Sequence, residues 1–426
     1  MDSEVIEMIS INYRKRLIEK DIENKMRYSG GIVIEGPKWA GKSTTAALFS
    51  KTIIKLQNPI VKKQYQTFAT ISKDELLAGE KPILFDEWQE VPELWDFIRL
   101  DIDENKYKGA YILTGSTKKQ NLPVLHTGTG RINSIYMRPM SLFESGDSSG
   151  SVSLSALFKG ERLKPVKSNL SINDIARLIC RGGWPESVDL VVEDQLLVAR
   201  DLLEGILKKD VDEVDGIKKD KEKMRKLIRS YARNISTLAT SKTIYQDQNN
   251  EGLLLDYKTF DTYVNALQRL FIIENVKAWS PQIRSSSTIR TSDKKQFVDP
   301  SLAVAALGLS VEKLKNDFNT FGFFFESICT RDIRIYAQFL SGEVYHYLDS
   351  SGLEIDLIIE LNDGKWAAIE VKMGENEVDK AAENLKKLAN LHQTIKPSFL
   401  MILTNTQLGY QRQDGVYVIP LGLLKP

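Results

Sequence analysis

Cysteine and histidine are scarce in this sequence. Its 426 residues include two cysteines, Cys180 and Cys329, and three histidines. The cysteines lie far apart and the histidines are scattered, which excludes a disulfide framework and a structural zinc site. We expect both cysteines to be buried thiols in a reducing compartment, which predicts a cytoplasmic location.

Long apolar runs and an excess of charge of one sign are also absent. No run of apolar residues is long enough to span a bilayer, and the acidic start does not resemble a secretory signal, so no membrane association is expected. The net charge of +1 excludes a global positive field, and any DNA contact would need a local patch. The length and composition predict a soluble globular chain of roughly two to four domains.

The sequence does contain a complete GxxxxGK[ST] pattern. A predicted strand at 31–36 precedes it and a predicted helix at 44–54 follows, which is the context this motif requires. Backbone N–H groups of such a loop cradle phosphates, while Lys42 reaches the β- and γ-phosphates and the Ser43 hydroxyl ligates magnesium. The alternative is a glycine turn that happens to precede a helix. The predicted ATP-binding loop comprises Gly36, Pro37, Lys38, Trp39, Ala40, Gly41, Lys42, Ser43 and Thr44.

Two further strands support a nucleotide site. Residues 82–87 form an apolar strand that ends in two carboxylates, of which Asp86 is predicted to hold Mg²⁺ and Glu87 to polarise the attacking water. Residues 110–116 form a strand that ends in small hydroxyl residues, including Ser116. This ending is typical of a sensor strand that lies between the other two. The three elements together predict an ATPase.

Several short segments also carry a family resemblance. They are 85–89 (FDEWQ), 91–95 (VPELW), 112–116 (ILTGS), Arg131, 139–144 (PMSLFE) and 182–185 (GGWP). Together they resemble a prokaryotic family of AAA-type ATPases with a C-terminal domain of unknown function, over essentially the whole chain. The resemblance implies that Arg131 is a cation for the nucleotide or for a neighbouring subunit, so a homo-oligomer or a protein partner is possible. A surface arginine is the alternative.

The middle of the chain is predicted to be mostly helical. Residues 144–155 are rich in Ser and Gly, which predicts a linker or a surface loop. Ser171 and Asp174 indicate a capping box that starts one helix, and a second helix is expected at about 193–208. We interpret these two helices as the helical lid of the ATPase.

The following segment resembles a winged-helix module. Its predicted elements are a helix at 221–238, apolar residues at helical spacing from Phe260 to Phe271, a strand at 271–276, and a hairpin at 280–292 containing Arg284 and Arg290. Helices followed by a short basic hairpin are typical of that module. The predicted recognition helix carries few cations, Lys258 and Arg269, so DNA binding and a connector role both stay open.

In the C-terminal part, charged residues interrupt apolar segments. The predicted elements are an amphipathic helix with Glu326 and strands at 342–347, 353–359 and 366–372. If residues 362–364 form a three-residue hairpin loop, Leu361 pairs with Lys365 and Asp356 lies opposite Glu370. A two-residue turn would instead send Asp356 to the other face of the sheet.

These charged residues resemble the PD-(D/E)xK nuclease signature. By that resemblance Asp356 and Glu370 hold Mg²⁺ or Mn²⁺, Lys372 assists the attacking water, and Glu326 on the preceding helix completes the catalytic set. Glu354 lies beside the motif, and the proline of the signature is absent. The alternatives are a salt-bridged pair without a metal, and a nuclease-like fold that has lost its chemistry.

The predicted architecture is therefore an α/β chain of four parts. They are a P-loop NTPase core of the AAA type (1–165), a helical lid (166–215), a winged-helix-like module (216–298) and a restriction-endonuclease-like α/β domain (299–426). One functional hypothesis is an ATP- and Mg²⁺-dependent nuclease that acts on DNA. The other is an ATP-dependent switch whose C-terminal domain binds nucleic acid or a protein partner without cleaving it.

Overall fold

The computed structural model describes residues 13–117, 128–250, 252, 255–280, 292–392 and 394–426. Packing of Cα atoms divides the chain into two compact units, and the four predicted parts stay a prediction. The first contains the described residues up to Pro139, together with 209–218 and 265–271, and the second contains the described parts of 140–208, 219–264 and 272–426. Arg284 and Arg290 of the predicted basic hairpin lie outside the described residues.

The first unit is built on a parallel sheet of five strands. The strands are β1 Gly31–Glu35, β2 Thr52–Lys55, β3 Ile83–Asp86, β4 Tyr111–Gly115 and β5 Ile132–Tyr136. The helices that accompany them are α1 Glu19–Tyr28, α2 Lys42–Ala47, α3 Pro59–Ile71, α4 Lys73–Leu76 and α5 Leu94–Asn105. The strand order is β2-β3-β4-β1-β5, so β4 lies between β3 and β1, as predicted for the sensor strand.

Burial explains why these segments form central strands. Every residue of β3 and β4 is buried, as are the first four of β1, which is expected of parallel strands covered by helices on both faces. Because all five strands run in the same direction, the polar residues that follow β1, β3 and β4 meet at one edge of the sheet. The residues predicted to bind a nucleotide belong to that edge.

The remaining helices follow in chain order. They are α6 Leu154–Phe158, α7 Ile172–Arg181, α8 Pro185–Val188, α9 Val192–Gly205, α10 Val211–Glu213, α11 Lys221–Arg233, α12 Ser241–Asn250, α13 Tyr257–Arg269, α14 Pro300–Leu307, α15 Val311–Asn316, α16 Phe318–Phe339 and α17 Val378–Leu391. A π-helical turn, Ile206–Asp210, follows α9. Among the described residues no helix combines the length and apolarity needed to cross a bilayer.

The second unit contains a mixed sheet of eight strands. The strands of this unit are β6 Val152–Ser153, β7 Val166–Lys167, β8 Lys277–Ala278, β9 Gly342–Leu348, β10 Glu354–Leu361, β11 Trp366–Lys372, β12 Phe399–Thr404, β13 Leu408–Gln411, β14 Tyr417–Pro420 and β15 Leu424–Lys425. The order in the large sheet is β7-β13-β14-β12-β11-β10-β9-β8, and β6 pairs separately with β15. Helix α17 packs its buried face, which includes Ala381 and Leu385, on the core of this sheet.

The segment predicted as a linker or surface loop, 144–155, has neither helix nor strand up to residue 151, but part of it is buried. Ser145 and Ser148 are buried, and the Ser148 hydroxyl donates a hydrogen bond to the Leu424 carbonyl over 2.6 Å. The Ser149 N–H donates to the Gly422 carbonyl over 2.9 Å. These small polar residues donate hydrogen bonds to backbone carbonyl groups of the C-terminal segment. The same composition is found in flexible linkers, so composition alone does not distinguish the two cases.

Both helices assigned to the lid exist, and the capping box at Ser171 and Asp174 is confirmed. They nevertheless pack with residues from the predicted C-terminal domain. The Gly183 N–H donates to an Asp299 carboxylate oxygen over 2.9 Å, and the Trp184 indole donates to the Ser301 hydroxyl over 2.9 Å. The residues after α7 are therefore part of the second unit, and their role as a lid stays a prediction.

The segment assigned to the winged-helix-like module contains three helices, α11, α12 and α13. The predicted strand at 271–276 is reduced to two isolated antiparallel bridges, Ile273 with Phe297 and Val276 with Lys294. These bridges bring the chain on either side of 281–291 together. The assignment to a winged helix stays a prediction.

Candidate functional site

The loop between β1 and α2 approaches the chain that follows β5 very closely. Gly36 has a φ of +156°, and a Cβ atom built on it would lie 2.1 Å from the Met137 carbonyl oxygen. Trp39 and Gly41 also have positive φ values, +64° and +91°. Glycine at position 36 is therefore required by contact as well as by conformation.

Lys42 is buried at the start of α2, and its ammonium group donates a hydrogen bond to the Pro37 carbonyl over 2.7 Å. Burial lowers the pKa of Lys42 to about 8, although the nearby carboxylates of Glu87 and Asp86 oppose the shift. A buried ammonium with a lowered pKa is a group that an anionic phosphate would stabilise in its charged form. These features fit the predicted role of Lys42.

The ends of three elements meet at Asp86. One of its carboxylate oxygens accepts hydrogen bonds from the Ser43 hydroxyl over 2.5 Å and from the Thr114 hydroxyl over 2.6 Å. A serine hydroxyl and a carboxylate at this distance are oxygen ligands suited to Mg²⁺. The residues present therefore fit the predicted magnesium site, in which Ser43 and Asp86 are the protein ligands.

Glu87 directly follows Asp86, and several hydrogen bonds fix its side chain. Its backbone is in the left-handed region, with a φ of +56°, which is uncommon for a residue with a side chain. One carboxylate oxygen accepts hydrogen bonds from the Ser116 N–H (3.2 Å), the Ser116 hydroxyl (3.1 Å) and the Gln89 side-chain amide. The sensor strand thus positions the predicted catalytic carboxylate.

An open cavity of about 670 Å³ lies beside Glu87. It is lined in part by Lys38, Gln89, Ser116 and Asp210, and the Lys38 ammonium pairs with the Asp210 carboxylate over 2.7 Å. The side-chain carbonyl oxygen of Gln89 is buried and has no hydrogen-bond partner among the described residues. A buried acceptor of this kind fits a site in which it would meet a substrate or a water molecule.

In the C-terminal sheet, the hairpin register is the one predicted for a three-residue loop. The Leu361 N–H donates to the Lys365 carbonyl over 2.8 Å, and Gly364 has a φ of +82°. Leu357 lies opposite Ile369, so one step further in the same register Asp356 lies opposite Glu370.

The predicted charged residues do converge on one face. The Lys372 ammonium lies 2.7 Å from a Glu370 oxygen and 3.3 Å from an Asp356 oxygen. The other Asp356 oxygen and a Glu326 oxygen both contact a second cation. That cation is the ammonium of Lys294, a residue to which the sequence assigned no role. We use the name carboxylate cluster for Glu326, Glu354, Asp356 and Glu370 together.

Lys294 lies inside the carboxylate cluster. Its ammonium is 2.8 Å from Glu326, 3.1 Å from Glu354 and 3.2 Å from Asp356, and only 1% of its side chain is exposed. Burial lowers the pKa of Lys294, but the three carboxylates outweigh this effect and raise it above the ordinary value. Lys294 is therefore a fully charged lysine.

The carboxylates of the cluster are perturbed in opposite directions. Burial raises the pKa of Glu326 to about 7, and burial together with the Asp356 charge raises that of Glu370 to about 8. Burial would also raise the pKa of Asp356, but Lys294 and Lys372 hold it below its ordinary value. Asp356, which contacts both lysines, is thus the carboxylate of the cluster whose charged form is most strongly favoured.

The predicted metal ligation by Asp356 and Glu370 does not fit this arrangement. A divalent ion bound to these carboxylates would have ammonium groups as close neighbours. The Lys294 ammonium lies 3.2 Å from one Asp356 oxygen, and the Lys372 ammonium lies 3.3 Å from the other. Positive charges at such short separations repel one another. Among the described residues, no group of three or more His, Cys, Asp and Glu side chains is arranged to hold a metal ion.

Comparison with known proteins identifies the first part of the chain. Residues 29–145 match the family model described as an AAA domain. This match supports a P-loop ATPase domain in this part of the chain. Residues 172–313 and 321–424 match two models described as domains of unknown function, DUF8612 and DUF4143. No curated protein matches the chain.

Two ATPases are among the solved structures that the chain is similar to. A Walker-type ATPase of Pyrococcus abyssi is 13% identical, with a TM-score of 0.42 over 69% of this chain and 95% of its own. A signal transduction ATPase with numerous domains and a tetratricopeptide repeat sensor, from Pyrococcus horikoshii, is 12% identical, with a TM-score of 0.25 over 76% of this chain. The chain spans about half of that second protein, 48%.

Within the P-loop ATPase domain, Arg131 is far from the nucleotide loop. It directly precedes β5, and β5 pairs in parallel with β1 from Gly31 opposite Ile132. The nucleotide loop begins at the other end of β1, about 16 Å away at the rise of a strand. Arg131 instead pairs with the Asp103 carboxylate over 2.7 Å. The prediction that it contacts the nucleotide of its own chain is therefore wrong.

Some residues that support the loop of the ATPase domain were not predicted from the sequence. The buried guanidinium of Arg16 donates to the Ala40 carbonyl over 2.7 Å and to the Arg138 carbonyl over 2.8 Å. The Tyr13 hydroxyl lies 3.0 Å from the Thr45 hydroxyl. Neither residue belongs to a motif, so no signal in the sequence could have identified them. Gln89, by contrast, follows Glu87 closely enough to have been suspected.

Proposed function

We propose that this chain is an ATP-dependent switch. Its P-loop ATPase domain would bind and hydrolyse ATP with Mg²⁺, and its C-terminal domain would bind nucleic acid or a protein partner without cleaving it. The observation that carries this choice over an ATP-driven nuclease is the Lys294 ammonium inside the carboxylate cluster. A cytoplasmic location and a homo-oligomer remain part of the proposal.

The hydrolytic site would work through groups that are already in place. Lys42 and the backbone of the loop would hold the phosphates of ATP, and Ser43 and Asp86 would hold Mg²⁺. When bound, Mg²⁺ supplies positive charge that offsets the charge of the triphosphate. Glu87 would accept a proton from the attacking water, and Ser116 keeps its carboxylate in position for that step.

Two substitutions test the ATPase part. Lys42→Ala should abolish ATP binding, because the buried ammonium that meets the phosphates is lost. Glu87→Gln should retain ATP binding but lower kcat by about 100-fold or more, because the proton acceptor is lost. ATP binding is measured by equilibrium dialysis and hydrolysis by phosphate release.

Lys51→Ala is the matched control, since this exposed lysine pairs only with the exposed Glu80 among the contacts described. It should leave both activities unchanged. Hydrolysis by the Lys42→Ala variant at the rate of the unmodified protein would rule out the proposed site.

The nuclease alternative has its own test. Cleavage of plasmid, linear and single-stranded DNA is measured with Mg²⁺ or Mn²⁺, with and without ATP, for the unmodified chain and for Asp356→Ala. The switch predicts no metal-dependent cleavage by either protein. Cleavage that is present in the unmodified chain and lost in Asp356→Ala would establish the nuclease instead.

Fewer observations support DNA as the partner of the switch. The helices α11 to α13 and the bridges that follow them support a winged-helix-like module. Lys258 and Arg269 on α13 are the cations that this hypothesis offers to a phosphate backbone. Binding of labelled duplex DNA that falls steeply with salt would favour DNA over a protein partner.

A further inference from the structure

The carboxylate cluster resembles the site of a nuclease-like fold in which carboxylates hold a divalent metal. The residues present here do not fit such a metal. Four carboxylates face two lysines, of which Lys372 is partly exposed and Lys294 is not. The ammonium of Lys294 is the point at which oxygens of Glu326, Glu354 and Asp356 converge within 3.2 Å. Oxygen atoms arranged around one centre are the usual surroundings of a hard cation.

We propose that Lys294 is a resident cation that replaces the divalent metal in the C-terminal domain and prevents one from binding. The domain would then keep its carboxylates for a structural reason, because they neutralise a buried lysine. This inference deepens the proposed function, since it rests on a C-terminal domain that does not cleave.

The backbone around Lys294 supports a fixed position for its ammonium. The Lys294 N–H and carbonyl exchange two hydrogen bonds of 2.9 Å with Val276. Two residues further on, the buried Gln296 side chain accepts a hydrogen bond from Ser327 over 2.7 Å and donates one to Ser236 over 2.9 Å. The backbone of Lys294 and the side chain of Gln296 are therefore both fixed by hydrogen bonds.

Charge explains why a metal and Lys294 exclude each other. Removing the ammonium leaves Glu326, Glu354 and Asp356 without their shared counter-charge. This is strongly unfavourable for Glu326 and Asp356, which are largely buried, and less so for the more exposed Glu354. A divalent cation would restore the balance, and carboxylate oxygens are ligands that Mn²⁺ accepts. The loss of Lys294 should therefore convert the carboxylate cluster from a site that rejects Mn²⁺ into one that binds it.

The test uses the full chain and Mn²⁺ alone as the probe. Binding is followed by electron paramagnetic resonance of free Mn²⁺ for the unmodified protein, Lys294→Met, Lys294→Gln and Lys294→Met combined with Asp356→Asn. We expect Lys294→Met to bind about one more Mn²⁺ per chain than the unmodified protein, and the double variant to lose it. The double variant also separates this site from the magnesium site of the ATPase domain.

Lys372→Gln is the matched control, because it removes the other lysine of the cluster and leaves Lys294 in place. It should gain no Mn²⁺. Binding of Mn²⁺ by the unmodified chain that is lost with Asp356→Asn would overturn the proposal. So would folded Lys294→Met and Lys294→Gln variants that bind no additional Mn²⁺.

Folding gives a second readout, since the variants carry uncompensated buried charge. If Lys294→Met or Lys294→Gln is unfolded in the absence of metal, recovery of its circular dichroism spectrum on addition of Mn²⁺ supports the proposal, and no recovery overturns it. ATP hydrolysis by the unmodified chain and by Lys42→Ala is measured separately, so a failure of this inference is distinguishable from a failure of the ATPase assignment.

Discussion

At the scale of single residues, Gly36 gives the clearest expectation for the nucleotide loop. A Cβ atom at this position would lie 2.1 Å from the Met137 carbonyl oxygen. We expect Gly36→Ala to lower the free energy of unfolding by about 1–3 kcal/mol, because the backbone must move, and to weaken ATP binding by about tenfold or more. Urea unfolding and equilibrium dialysis measure the two effects.

Gly205 is the control for that substitution. It closes α9, and a Cβ atom added there would meet nothing within 4 Å. Gly205→Ala should therefore raise stability by roughly 0.5–1 kcal/mol, through the helix preference of alanine, and leave ATP binding unchanged. Equal effects of the two substitutions would show that the loop does not need glycine at position 36.

The two cysteines provide a second test at this scale. Cys180 and Cys329 are both buried, as predicted, and burial raises the pKa of Cys180 to about 12 and that of Cys329 above its ordinary value. Because the thiolate is the reactive form, neither should react with Ellman's reagent at pH 8 in the folded protein. Both should react in 8 M urea. A stoichiometric reaction of either thiol before unfolding would contradict this account of their surroundings.

Sequence reasoning predicted which residues local spacing brings together. Lys42, Ser43, Asp86 and Ser116 meet because the loop after β1, the end of β3 and the residue after β4 lie at the same edge of the parallel sheet. It failed for Lys294, which lies in a polar segment without periodicity, 32 residues from Glu326 and 62 from Asp356. A contact of that kind depends on how the elements pack, and no motif encodes it.

At the scale of secondary-structure elements, the start of α7 offers a direct measurement. The Ser171 hydroxyl accepts a hydrogen bond from the Asp174 N–H, and the Asp174 carboxylate accepts one from the Ser171 N–H. Ser171→Ala should cost about 1 kcal/mol of stability in urea unfolding, since an N–H of the first turn loses its partner. Ser171→Thr keeps the hydroxyl and should cost much less; an equal loss would mean that the capping bond contributes nothing.

The hairpin between β10 and β11 shows why register could be predicted here. The loop has a glycine where a left-handed residue is needed, at Gly364, and it joins two largely apolar strands that are interrupted by charged residues. Loop length then determines which residues face each other. The position of Asp356 opposite Glu370 could be predicted from the loop length. The presence of Lys294 between these strands and α16 could not.

At the scale of the whole molecule, the order of elements was predictable but the limits of the compact units were not. The predicted boundary at 165 falls inside the second unit, because β6 pairs with β15 and β7 pairs with β13. These pairings join residues more than 200 positions apart. Composition changes along the chain indicate flexible segments, but they do not report which distant strand a two-residue strand will join.

The packing within the second unit predicts which fragments fold. In this unit the buried guanidinium of Arg331 pairs with Asp299 over 2.9 Å and with Asp332 over 2.7 Å. Asp332 also accepts a hydrogen bond from the Leu142 N–H over 3.0 Å, and Asp299 accepts one from the Gly183 N–H. A fragment of residues 140–426 keeps all these partners, whereas a fragment of residues 299–426, which follows the predicted boundary, loses two of them.

We therefore expect residues 140–426 to unfold cooperatively in urea and residues 299–426 to lack a cooperative transition. The shorter fragment also loses β7 and Lys294, so the carboxylate cluster is left without its buried counter-charge. Circular dichroism and urea titration of both fragments provide the comparison. A cooperative transition of residues 299–426 at the same urea concentration as the longer fragment would mean that the C-terminal sheet is independent of residues 140–298, and that Lys294 is not needed for its stability.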